Sequence, residues 1–146
     1  MQRRLRTQQS RRGFTLLEIL IVLAIIGVIA AMAVPRLLGQ QRAANIKTSK
    51  AAIVALEEAA QYYAVGNAGT YPESVQVLLQ KSPDGTDPVL DKIPTDAWGT
   101  PLNYEYPNTK ASVSRPAIWS SGENRQNENG SGDDINNWSD LASTSK

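Results

Sequence analysis

Residues 11–35 read RRGFTLLEILIVLAIIGVIAAMAVP. From Phe14 to Val34 there are 21 residues, interrupted only by Thr15, Glu18 and Gly27. As a helix this run is long enough to cross a bilayer core of about 30 Å. A carboxylate near the start of such a run is costly in lipid and calls for a reason. A secretory signal peptide is one reading, because Ala31-Met32-Ala33 is a small-x-small cleavage pattern. Its apolar core, however, is usually about 7–15 residues and carries no acid. A plain anchor explains the length and leaves Glu18 to snorkel toward the headgroups.

Filament assembly gives Glu18 a purpose. Gly13-Phe14 lies where the polar leader meets the apolar run, and Glu18 is four residues past Phe14. Cleavage after Gly13 would give Phe14 a positive α-amino group. Four helical residues rise about 6 Å, so amine and acid lie about one turn apart. In a helical stack the amine of one subunit can neutralise Glu18 of its neighbour. The cost of an isolated charge then disappears only on assembly.

The stretch Arg12-Gly13-Phe14-Thr15-Leu16-Leu17-Glu18 resembles the leader and cleavage motif of type IV pilins and of the pseudopilins of type II secretion. The resemblance implies cleavage between Gly13 and Phe14 by a prepilin peptidase, which also N-methylates Phe14. It further implies that Glu18 is the assembly carboxylate. Gly27 and Pro35 are poor helix-interior residues, costing about 1 and about 3 kcal/mol. Either the anchor simply tolerates a kink, or residues 27–35 unwind as subunits leave the bilayer and pack. The resemblance favours helix melting.

Charge distribution agrees with this topology. Arg3, Arg4, Arg6, Arg11 and Arg12 are five of the 15 basic residues, and the first thirteen residues hold no acid. Beyond them ten basic residues face all 14 acidic ones. A basic cluster ahead of an apolar span stays cytoplasmic. Nucleic-acid binding is the competing reading of the arginines, and the apolar run that follows them argues against it. The chain has no cysteine and no histidine, which excludes disulfides and both Ser-His-Asp and Cys-His catalysis. Any metal must be a hard cation held by oxygen.

Between Gly39 and Gly66 there is neither glycine nor proline, and Ile46, Ile53, Leu56, Ala60 and Tyr63 form a helical stripe. One long helix is expected to end near Val65, apolar all round in its first half and amphipathic in its second. Over about 50 residues it would reach roughly 75 Å. Thr70-Tyr71-Pro72-Glu73 reads as a second helix start, with Val75, Leu78 and Leu79 on one face. Strands are expected at Leu102–Tyr106, Ala117–Trp119 and Ile135–Trp138. The fold class is therefore α+β, a long N-terminal helix packed on a small antiparallel sheet. The expected organisation is a cleaved leader (1–13), a transmembrane and filament-core helix (14–35), and a pilin-like periplasmic domain (36–146).

Ile93-Pro94-Thr95-Asp96-Ala97-Trp98-Gly99-Thr100-Pro101 is similar to the D-P-W-G-x-P-Y signature of major pseudopilins, with Ala97 where proline is usual. Trp98 is expected to plug the core rather than to serve a surface function. Residues 120–138 are rich in oxygen-bearing side chains, and Asp133-Asp134 is followed by apolar Ile135 and Trp138. Adjacent acids repel unless a cation lies between them. The loop resembles the pseudopilin calcium site. That resemblance implies Ca2+ held by Asp133 and Asp134, by a side-chain oxygen of Asn124 and by the carbonyl of Ser121. Asn124 stands where aspartate is expected. Glu123 or Glu128 could compensate, or affinity could be lower.

The resemblance implies a structural subunit of the type II secretion pseudopilus, a helical homo-oligomer anchored by one span in the inner membrane. Its implied partners are the prepilin peptidase, minor pseudopilins, an inner-membrane assembly platform and an outer-membrane secretin. A type IV pilin of a surface fibre is the nearest alternative, although no cysteine closes a C-terminal loop. A carboxylate hydrolase is disfavoured, because adjacent Glu57 and Glu58 point about 100° apart on a helix.

Overall fold

The computed structural model describes residues 13–81 and 85–139. All of the expected leader except Gly13, residues 1–12, lies outside them. In order along the chain come α1 (Leu16–Gly66), a short 3₁₀ helix (Val75–Leu79), β1 (Asn103–Glu105), β2 (Ala117–Ser120) and β3 (Ile135–Asn136). The chain divides into two units between Gln40 and Gln41.

In the first unit α1 is helical throughout and includes Pro35. Its apolar side chains are exposed on every side, among them Leu16 (88%), Leu23 (63%) and Leu38 (62%). Alone among the described helices, α1 is long and apolar enough to cross a membrane by length and composition.

In the second unit the same helix becomes one-sided. Ser49, Ile53, Leu56, Ala60 and Ala64 are buried, spaced by three and four residues as one helical face requires. Ile53, Leu56 and Ala60 pack with Val75, Leu78, Leu102, Ile118 and Ile135 in a single core, with Ile46, Tyr63 and Trp98 partly buried against it. Trp98 thus fills the core edge, as expected from the sequence. The helix stops where the sequence predicts: Ala68 and Gly69 both take positive φ, and the Gly69 amide donates to the Ala64 carbonyl at 2.8 Å.

The predicted second α-helix is a 3₁₀ turn of five residues instead. Ser74, its N-cap, makes no side-chain capping bond, and Gln80 is already extended. Five residues allow too few α-type bonds to offset helix nucleation, so the tighter turn suffices to bury Val75 and Leu78.

The sheet is antiparallel in the order β1-β2-β3. Tyr104 pairs with Ile118 and Ser120 with Ile135. Central β2 is buried on both faces, so it does not show the alternation of a half-exposed strand. Two buried polar side chains tie the parts together. Ser49 Oγ on α1 accepts from the Ala97 amide at 3.0 Å. Asp96, 5% exposed, accepts from the Trp98 and Thr100 amides and from Ser120 Oγ at 2.7 Å. The tryptophan turn is thereby fixed to α1 on one side and to the end of β2 on the other.

The Tyr104 hydroxyl donates to the Pro72 carbonyl at 2.7 Å. Burial, then the neighbouring Tyr106 and Tyr71, push its pKa well above the usual tyrosine value. The folded protein therefore holds the neutral phenol after the unfolded chain begins to ionise, near about pH 10. Stability from this group is complete below that pH and is lost as pH rises toward the folded-state value. Urea titrations from pH 8 to 11 should show Tyr104→Phe losing less stability with rising pH than the parent does.

Candidate functional site

Two places concentrate functional chemistry. The first is the start of α1. Gly13, Phe14 and Thr15 lie outside the helix, and Phe14 is 85% exposed. The Thr15 amide donates to Glu18 Oε2 at 2.8 Å and its hydroxyl reaches the same oxygen at 3.1 Å. In return the Glu18 amide donates to Thr15 Oγ1 at 3.2 Å. This is a capping box, in which each side chain accepts from the other residue's otherwise orphaned backbone amide. The pattern Thr15-Leu16-Leu17-Glu18 spells it in the sequence. Glu18 therefore has a partner within its own chain and also fixes where the helix begins. The bond between Gly13 and Phe14 is left in non-helical backbone just ahead of the cap.

The second place is the loop from Ser121 to Asp134. Its ends are pinned by the Ser120–Ile135 pair of β2 and β3, and Ile135 is buried. Asp133 and Asp134 come together with Glu128, and ligand oxygens from all three lie within 4.8 Å of one another. Asp134 Oδ2 accepts from the Glu128 and Gly130 amides at 3.0 and 2.8 Å. Its other oxygen, Oδ1, is buried and has no hydrogen-bond partner among the described residues. Asp133 Oδ2 accepts from the Asn124 amide at 2.9 Å. Such an orphaned carboxylate oxygen beside two further acids costs free energy on its own account. Like charges at this range repel by about 1 kcal/mol per pair in water and by more at lower permittivity. A donor set of carboxylate oxygens fits a hard divalent cation such as Ca2+.

The side chains of the other residues in the expected ligand set make bonds of their own. Asn124 Oδ1 accepts from the Gln126 amide at 2.6 Å, turned toward its own backbone. Ser121 is 3% exposed, and its hydroxyl accepts from Asn103 Nδ2 at 3.2 Å. Of the two candidate substitutes for a missing acid, Glu123 pairs with Arg42 at 3.0 Å. Glu128 joins the aspartates. Glu57 serves as an ion-pair partner, accepting from Arg115 Nη1 at 2.6 Å. Beneath the loop, Trp119 meets Trp138 edge to face with centroids 5.9 Å apart, and Trp119 Nε1 donates to Asn127 Oδ1.

A helix with an apolar, fully exposed first part, followed by an amphipathic part carrying a small antiparallel sheet, is the type IV pilin-like fold. The major pseudopilin of enterohaemorrhagic Escherichia coli, solved by crystallography, superposes with a TM-score of 0.56 at 24% identity, covering 71% of this chain and 95% of that one. Residues 8–34 match the prokaryotic N-terminal methylation motif. Residues 36–138 match the family described as type II secretion system (T2SS), protein G. Similar proteins include the type II secretion system core protein G of Pseudomonas aeruginosa, 36% identical over 94% of this chain and 99% of the relative. That of Vibrio cholerae is 32% identical over 92% and 96% respectively. The chain belongs to the type II secretion system protein G family, the major pseudopilins. It is a structural protein and not an enzyme, and the surface-fibre pilin reading is not favoured.

Gly122 has φ +63°, and a Cβ there would lie 2.4 Å from the Asp133 carbonyl oxygen. Gly122→Ala should destabilise the protein by about 1–3 kcal/mol, the usual cost of forcing a side chain into left-handed backbone. A thermal melt beside that of the parent checks this.

Proposed function

We propose that this chain is made as a precursor in the inner membrane, cut after Gly13, methylated on Phe14 and added to a periplasmic pseudopilus as its main subunit. The apolar exposure of α1 over its whole first part carries this reading. Such a surface must be covered by lipid or by copies of itself. In the membrane, residues 14–35 span the bilayer while the remainder faces the periplasm. In the fibre, the same surface forms the shared core. Gly27 and Pro35, helical in the single chain, mark where α1 loosens on packing. A prepilin peptidase, minor pseudopilins, an inner-membrane platform and an outer-membrane secretin are the partners this role requires.

The capping box refines the part played by Glu18. Before cleavage its carboxylate is held by Thr15. Cleavage creates an α-amine about one turn away, and in the fibre the amine of an adjoining subunit competes for the acid. Glu18→Gln keeps a capping acceptor but removes the charge, whereas Glu18→Leu removes both. If charge pairing drives incorporation, both variants are inserted and cleaved normally but fail to enter fibres or to support secretion. Normal fibre yield from Glu18→Gln would reduce the residue to a helix cap.

The acidic loop is proposed to hold a structural Ca2+ through Asp133 and Asp134, which would neutralise the clustered carboxylates and occupy the orphaned Asp134 Oδ1. Binding only to the folded state raises stability. In detergent, chelation should lower the melting temperature of the full chain by several degrees, since about 1 kcal/mol corresponds to about 4–8 °C for a domain of this size. Asp134→Ala should melt lower and ignore the chelator. A parent protein indifferent to chelation would contradict the calcium reading.

A further inference from the structure

We infer that Glu128, and not Asn124, completes the cation site of this chain; the inference rests on the calcium reading above. Glu128 lies in the middle of the loop, five residues ahead of Asp133, a spacing that by itself singles out no ligand. Three features of the fold do so.

First, its carboxylate converges on those of Asp133 and Asp134, and the residue is tied to them twice, once through its main chain and once through its side chain. The Glu128 amide donates to Asp134 Oδ2 at 3.0 Å, and Glu128 Oε2 accepts from the Asp133 amide at 3.3 Å. Second, the carboxylate occupies room that only glycine leaves. Gly132 has φ +61°, and a Cβ there would fall 1.8 Å from Glu128 Oε2 and 2.6 Å from its Cδ. Gly122 gives Asp133 a matching berth, with Asp133 Oδ2 2.7 Å from the position of a Cβ. Third, the buried and unpartnered Asp134 Oδ1 points to a ligand from outside the chain.

The rival donors are engaged outside the carboxylate cluster. Asn124 Oδ1 takes the Gln126 amide at 2.6 Å, and Glu123 takes Arg42. Three carboxylates bring three negative charges to a divalent ion, a hard-oxygen set of the kind calcium favours. Magnesium, which needs a smaller and stricter octahedron, should bind less well. The neutral residue at 124 then costs the site nothing, because its charge is supplied from 128.

Calcium chloride titrated calorimetrically into the full chain in detergent tests this, with near-ultraviolet circular dichroism of the Trp119–Trp138 pair as a second readout. Glu128→Gln should weaken calcium binding by about tenfold or more, as loss of a charged oxygen ligand does. In chelator it should melt no lower than the parent, because one repelling charge has gone. A merely structural glutamate would lower that melting temperature. Gly132→Ala, which evicts the carboxylate, should weaken binding similarly, whereas Asn124→Ala should shift affinity by less than about threefold. If Asp134→Asn abolishes binding while Glu128→Gln binds like the parent, the inference fails and the calcium reading stands. If the parent itself binds no calcium, both fall.

Discussion

The first part of α1 presents an apolar surface that is exposed among the described residues, and the other features of the protein follow from that constraint. Water cannot be its neighbour for long, since each exposed leucine or isoleucine forgoes about 1.5–3 kcal/mol of burial. A bilayer and a bundle of identical helices are both acceptable surroundings. Passing between them requires a surface that is apolar on every side rather than striped. The transition to one-sided amphipathicity near Ile46 marks where the helix begins to serve a core of its own.

The second unit has little material for that core. Among the described residues eight buried ones form it, drawn from α1, the 3₁₀ turn, the strands and Leu102. With no cysteine available, buried polar groups add the cross-links. Ser49 holds the tryptophan turn against α1, and Asp96 joins that turn to Ser120, the residue from which the acidic loop departs. Ser120 Oγ also accepts from the Gly122 amide. A chain of hydrogen bonds thus runs from α1 to the loop's first glycine. Its members sit in a poorly hydrated interior, where an unmade bond costs more than a made one gains.

Much of this was legible in residue order. The α1 stripe, its glycine-rich stop, three strands and the acidic loop all declare themselves through periodicity or turn chemistry. Less legible were features set by competition between neighbours. The 70–79 segment carries helix-start residues, yet it is too short to stabilise an α-helix. Thr15-Leu16-Leu17-Glu18 spells a capping box, but Glu18 is at the same time a charge at the edge of an apolar run, and the two roles compete in the sequence. In the loop, sequence leaves Glu123 and Glu128 equivalent. Only folding separates them, by placing Arg42 beside one and Gly132 beneath the other.

Whether the apolar first part of α1 remains in the mature protein decides between a filament subunit and a secreted domain. Intact-mass spectrometry of the membrane-extracted chain reads this directly. A species beginning at Phe14 and carrying one added methyl group is the predicted result. A chain beginning at Val34, with the apolar helix removed as a signal peptide, would contradict it.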